Sequence, residues 1–115
     1  MPDEEAIMEW KLRDYRIDPA NFERFVAAWV AGVLPMRRRF GFRVLAWSLP
    51  EQSRFVWLLG YAGPGSLADA DAAYYASPER QAVDPEPAQW VLEKRDASVT
   101  AVVTEEGATW QPPTP

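Results

Sequence analysis

Seven apolar residues, Phe22, Phe25, Val26, Trp29, Val30, Val33 and Leu34, fall at i, i+3, i+4, i+7, i+8, i+11 and i+12. That spacing lays one unbroken apolar stripe along an α-helix, with Glu23, Arg24 and the small Ala27, Ala28 and Ala31 off it. Asp18 is placed to cap this helix and Pro19 to occupy its first position. Pro35 cannot donate to the carbonyl of Ala31, so the regular helix should kink or end nearby. Gly41, after Phe40, can supply the left-handed C-cap. The run Arg37-Arg38-Arg39 reads as a solvated helix end, where the dipole favours cations, or as a docking spot for phosphate or an acidic partner.

Strands flank the stripe. Residues 8–15 alternate, with Met8, Trp10 and Leu12 on one side and Glu9, Lys11, Arg13 and Tyr15 on the other. Period two with one apolar row is a half-buried strand, and the apolar row is expected to face the helices. Phe42–Leu49 reads as a second strand and Arg54–Tyr61 as a third, joined by a short polar connection as a hairpin. The third is apolar on both faces, which predicts a central strand covered on each side.

Gly63-Pro64-Gly65 breaks the pattern, and Ser66 caps a second helix running to about Ala76, its inner stripe marked by Leu67, Ala70, Ala73 and Tyr74. Residues 78–87 are interrupted by proline, residues 88–94 suit a short helical piece, and residues 97–104 read as a β-branched fourth strand. The expected organisation is a flexible N-terminus over residues 1–7, one domain over 8–104 and a disordered proline-rich tail over 105–115.

The order βαββαβ predicts an α+β, ferredoxin-like fold, with a four-stranded antiparallel sheet and both helices on one face. The other face then lacks a cover, although the third strand is too apolar to leave it in water. The simplest cover is a second copy of the chain, sheet against sheet, giving a homodimer.

Composition narrows the chemistry. The 115 residues suit one domain and include no His and no Cys. That excludes a Ser-His-Asp triad, a Cys nucleophile, a His-ligated haem, an iron–sulfur cluster, a disulfide and an ordinary zinc site. A D-x-[DN]-x-[DN]-G calcium loop is also missing from the sequence, and no metal or cofactor is expected. The net charge of −5 disfavours nucleic acid as a partner. The uncharged run 26–36 is too short to span a bilayer, so no membrane partner is expected. The acidic Met1-Pro-Asp-Glu-Glu is unlike a secretory leader. The expectation is a soluble cytoplasmic protein. Six Trp, five Phe and four Tyr make 13% of the chain, which implies a bulky core or an apolar surface shared with a partner.

Several stretches resemble the NIPSNAP family. Trp10-Lys11-Leu12-Arg13-Asp14-Tyr15 is similar to the family's first strand, leading through Ile17-Asp18-Pro19 into the first helix. Val33-Leu34-Pro35-Met36 with Phe40-Gly41-Phe42 resembles its helix end and entry into strand two. Leu58-Leu59-Gly60-Tyr61 resembles the close of strand three, and Tyr75-Ala76-Ser77-Pro78-Glu79 the end of the second helix. Leu59 stands where family members often carry Trp, and Arg80 where an aromatic is common. The resemblance spans residues 8–104 and implies the dimeric α+β barrel superfamily.

In such a dimer the sheet face away from the helices is expected to line a cavity, with Arg13, Tyr15, Trp47, Trp57 and Tyr61 as the candidate ligand-binding residues. A buried Arg13 needs a partner: Glu9 or another acid, or an anionic or carbonyl-bearing ligand, unless it snorkels at the rim. Tyr15 and Tyr61 are either core residues with satisfied hydroxyls or hydrogen-bond donors to a substrate. Trp47 and Trp57 are either packing or a flat wall for an aromatic substrate. The leading expectation is a homodimer holding a small apolar or aromatic molecule. The alternative, which the resemblance suggests, is a cofactor-independent oxygenase, isomerase or cyclase acting on an aromatic or polyketide-like substrate. Its donors would be Arg13 and Tyr15, and Glu9 could stand in for the missing His base. A third reading is an interaction module recruited through Pro112-Pro113-Thr114-Pro115.

Overall fold

The Asp18 carboxylate accepts from the Ala20 N–H and Pro19 opens a 3-10 turn, Pro19–Asn21, which feeds α1 (Phe22–Ala28). The computed structural model describes residues 8–105, 107 and 108. The helix does not end at Pro35. It widens into a π-helical turn, Trp29–Val33, in which the Leu34 N–H donates to the Trp29 carbonyl, and continues as α2 (Leu34–Arg39). The wide turn absorbs the hydrogen bond that a proline cannot make. Gly41, at φ +92°, then donates its N–H to the Arg38 carbonyl and closes the helix in the left-handed region open to glycine.

Four strands, β1 (Glu9–Ile17), β2 (Phe42–Leu49), β3 (Arg54–Tyr61) and β4 (Val91–Val99), form an antiparallel sheet in the order β2-β3-β1-β4. This is the expected ferredoxin-like arrangement. Ser53, at φ 51°, turns the chain between β2 and β3. Ser66 caps α3 (Leu67–Ala76) by accepting from the Asp69 N–H, and Ser77 caps the short α4 (Pro78–Gln81) by accepting from the Arg80 N–H. Val103–Thr104 (β5) pairs antiparallel with Gly107–Ala108 (β6). The flexible segment expected over 1–7 and most of the expected tail over 105–115 lie outside the described residues.

The helices cover the sheet face that carries Tyr15, Ile17, Phe42, Phe55, Trp57 and Leu59, all buried. Phe25 and Trp29 meet Phe55, Trp57 and Tyr15 edge to face, with centroids 4.8–6.3 Å apart. Such pairs contribute about 0.5–1.5 kcal/mol beyond the area they bury.

Three sequence expectations need correcting. In β1, Arg13 pairs with Trp57 and Tyr15 with Phe55, so Glu9, Lys11, Arg13 and Tyr15 occupy the helix side, and Trp10 and Leu12 face away. The apolar residues change rows in mid-strand: Trp10 and Leu12 are on one face, Tyr15 and Ile17 on the other. Second, the fourth strand is Val91–Val99, not 97–104, and residues 91–94, expected to be helical, belong to it. Its run Glu93-Lys94-Arg95-Asp96 suits an edge strand, where charge blunts further pairing. Third, Val30 and Ala73, both expected on inner stripes, are exposed.

The face away from the helices carries Trp10, Leu12, Leu45, Trp47, Val56 and Leu58. Trp10 is buried because its indole lies over Gly60, where an added Cβ would come within 2.6 Å of the ring. Leu45 and Trp47 are 42% and 48% exposed. Toward the other end of this face Arg54 donates to both oxygens of Asp14, and Arg16 pairs with Glu93 at 3.3 Å.

Candidate functional site: a cavity between sheet and helices

A cavity of about 790 Å³ lies on the helix side of the sheet. Its floor is Arg13, Tyr15 and Trp57; Phe25, Trp29 and Val33 form one wall, and Asp71, Tyr75 and Arg80 another. Pro87, Ala88 and the first residues of β4 complete it, with Leu92, Glu93 and Lys94 exposed at the rim.

Phase on two helices builds the polar end. Arg37 continues the α1 stripe, four residues after Val33, and its side chain has no solvent exposure. The first of the three arginines is therefore internal, a correction to the solvated-end reading; Arg38 and Arg39 are exposed. Asp71 follows Leu67 by four residues and precedes Tyr74 by three, and both of those are buried. An acid at that inner position meets both arginines. Arg13 donates through Nη2 to Asp71 Oδ2 at 2.6 Å and through Nη1 to Oδ1 at 3.4 Å, and Arg37 Nη1 lies 2.8 Å from Oδ1.

Burial alone would push the Asp71 carboxyl up. The Arg13 hydrogen bond and the Arg37 charge outweigh it and hold Asp71 below the usual carboxylate range. Burial opposes the charge on Arg13, and the Asp71 hydrogen bond overcomes it, raising that guanidinium further. Arg37 is caged by rings, its Cζ 3.7 Å from the centroid of Tyr74, 4.7 Å from Phe42 and 5.0 Å from Tyr75. Desolvated cation–π contacts of this kind reach about 2 kcal/mol. Arg80, also buried, donates to both oxygens of Glu86, and the Glu86 carboxylate accepts from the Ala88 N–H, fixing the segment that closes the cavity.

Burial, with Tyr75 nearby, pushes the Tyr15 phenol well above its ordinary range, against the opposing influence of Arg13 and the Trp57 N–H. Tyr15 is therefore a donor at neutral pH and not a base. The Trp57 indole nitrogen, in a side chain 1% exposed, makes no hydrogen bond of acceptable geometry.

Of the five residues singled out from the sequence, Arg13, Tyr15 and Trp57 come together in this cavity. It lies on the helix side of the sheet, a correction to the expected sheet-to-sheet lining. Trp47 is on the opposite face. Tyr61 shares the helix side but lies apart, its hydroxyl donating to the Pro64 carbonyl and its ring against Phe42. Glu9, considered as a base, accepts instead from the Leu67 N–H at the start of α3. From the sequence, Asp71 is not singled out, Arg37 reads as part of a solvated run and Arg80 only as a departure from the family pattern, though each occupies an inner helix position where a charged residue signals an internal ion pair. Among the described residues no group of His, Cys, Asp and Glu could hold a metal ion, and no helix is long and apolar enough to cross a membrane.

Comparison with solved structures bears on the fold. No family sequence model matches the chain, and no curated protein matches it. An uncharacterised NIPSNAP-domain protein from Burkholderia xenovorans superposes with a TM-score of 0.67 at 17% identity, covering 79% of this chain and 91% of the other. The chain has the fold of NIPSNAP-domain proteins. A NIPSNAP-family protein from Agrobacterium tumefaciens gives 0.67 at 13% identity over 86% and 90% of the two chains. The same architecture extends to a provisionally assigned antibiotic biosynthesis monooxygenase from Nitrosomonas europaea, with a TM-score of 0.63 at 16% identity over 85% and 93%.

Proposed function

We propose that this chain is a cytoplasmic, NIPSNAP-like homodimer that binds a small aromatic molecule in the cavity between sheet and helices. The observation that carries the reading is the 790 Å³ space walled by Tyr15, Phe25, Trp29, Trp57 and Tyr75, with the charged groups of Arg13, Asp71 and Arg80 also facing it. Ligand sites combine an apolar or aromatic wall with convergent polar groups. Dimerisation rests on the far face, where Leu45 and Trp47 lie in an apolar field with Leu12, Val56 and Leu58. A second copy would bury that field by the same self-complementary contact on both chains. A chain without cysteine requires no oxidising compartment to fold.

Ala88 sits at the cavity rim, exposed. Ala88→Trp should fill the mouth without disturbing the core. Saturation-transfer NMR with 2-naphthol is expected to detect binding to the wild type and at least a tenfold loss in the variant, about 1.4 kcal/mol. Equal binding by both would place the ligand elsewhere.

A second reading, a cofactor-free oxygenase of phenolic substrates, draws on the monooxygenase assigned to the same fold. Arg13 and Tyr15 would stabilise developing negative charge on the substrate. Asp71, held ionised by two arginines, is a poor base, which ranks this reading second. Oxygen-electrode traces that stay flat across a panel of phenols and quinols would remove it.

A further inference from the structure

The donors and acceptors at the polar end of the cavity do not balance. Two guanidinium groups, Arg13 and Arg37, share the single carboxylate of Asp71, which is 14% exposed. Both Asp71 oxygens are already engaged by cations, which leaves the half-exposed Asp96 as the carboxylate still open to a ligand's donor. Donors are in surplus. Arg13 spends Nη1 and Nη2 on Asp71, and its Nε faces only Asp96 at 3.8 Å, too far for a hydrogen bond and in a side chain that is half exposed. The Arg13 Cζ lies 5.4 Å from the Trp57 ring centroid, so an aromatic face adjoins this guanidinium. Tyr15 adds a phenol that stays protonated. At the rim Glu93 pairs with Arg16 and Arg95, and Lys94 is solvated.

We propose that the cavity selects an aromatic molecule bearing an anionic oxygen, a carboxylate or an enolate, which accepts from Arg13 Nε and supplies the negative charge the arginine pair lacks. This rests on the cavity being a ligand site and names the class of ligand it takes. The aromatic walls set the orientation, ring toward Phe25 and Trp29, charge toward the sheet. Arg37 is a positioning residue: from inside its cage it holds Asp71 against Arg13 and never reaches the cavity.

The test compares 2-naphthoate with its neutral isostere 2-naphthamide by calorimetry at pH 7. In the wild type the carboxylate is expected to bind at least tenfold tighter, the scale of one charge-assisted hydrogen bond. Arg13→Met leaves Arg37 paired one-to-one with Asp71, so the fold should survive, and the preference should vanish through loss of naphthoate binding alone. Asp96→Asn, removing the nearest competing acid, should raise naphthoate affinity. Equal affinity of the two ligands for the wild type, or an unaltered preference in Arg13→Met, would overturn anion selection and leave the cavity as a neutral aromatic site. Absence of binding by either ligand at millimolar concentration would overturn the ligand site itself.

Discussion

On the helix side of the sheet, strands β1 and β3 contribute Tyr15, Ile17, Phe55, Trp57 and Leu59, each at most 8% exposed, together with a buried Arg13. On the other side the same strands carry Trp10, Leu12, Val56 and Leu58, flanked by half-exposed Leu45 and Trp47 from β2. The first face tolerates charge only because it is paired and enclosed by rings. The second segregates its charge, Asp14, Arg16, Arg54 and Glu93, away from the apolar field and into water. Under the proposed function, one sheet carries a wall for a small ligand and a wall for a second protein surface.

The largest effect that would break this contrast comes from Asp71. Asp71→Asn leaves Arg13 and the wholly buried Arg37 without a carboxylate, and removing one partner of a buried pair costs about 3–5 kcal/mol. Urea unfolding followed by circular dichroism should show that loss. Arg37→Met should cost less, because Arg13 still pairs with Asp71 and a methionine suits the ring cage. Equal losses in the two variants would mean that the cluster is not organised around Asp71.

Much of this architecture was legible before the fold was known. The α1 stripe, the Asp18 and Ser66 caps, the Gly41 stop and the β2–β3 hairpin follow from local chemistry, and each is found. The orientation of β1 was not legible from its alternation. Its apolar residues occupy one row through Leu12 and the other from Tyr15. A period-two pattern read from the first half alone therefore gives the wrong face for Arg13, and with it the wrong side for the cavity. The charged run in β4 hid a strand for a related reason, since an edge strand needs little apolar surface. Arg37 was masked by the two solvated arginines beside it, although its spacing from Val33 repeats the helical stripe.

The outer face gives an effect in assembly and not in fold. Sedimentation of the wild type at micromolar concentration is expected to give twice the 13.0 kDa of one chain, and Trp47→Asp one chain with an unchanged circular dichroism spectrum. A wild type that sediments as a single chain would leave the outer field to some other cover and end the proposed division of labour.

The smallest effect is an acid limb. The Asp71 carboxyl titrates lower in the folded chain than in the unfolded one, so between those two values the unfolded state binds more protons. The stability Asp71 contributes is complete above the ordinary carboxylate range and is lost as pH falls through the folded value. Glu86 acts in the same sense: burial pushes it up, but the Arg80 hydrogen bond prevails and holds it down. Urea midpoints measured at pH 6 and pH 3 should fall further in the wild type than in Asp71→Asn, and parallel falls would mean that the pair does not drive the acid response.

The seating of Trp10 over Gly60 has a practical corollary. It places two indoles, Trp10 and Trp47, on the outer wall, while Trp29 and Trp57 look into the cavity. With Trp90 and Trp110 replaced by phenylalanine as a background, replacing either pair in turn silences one window and keeps the other, so a single fluorometer cuvette can distinguish a molecule entering the pocket from two chains meeting.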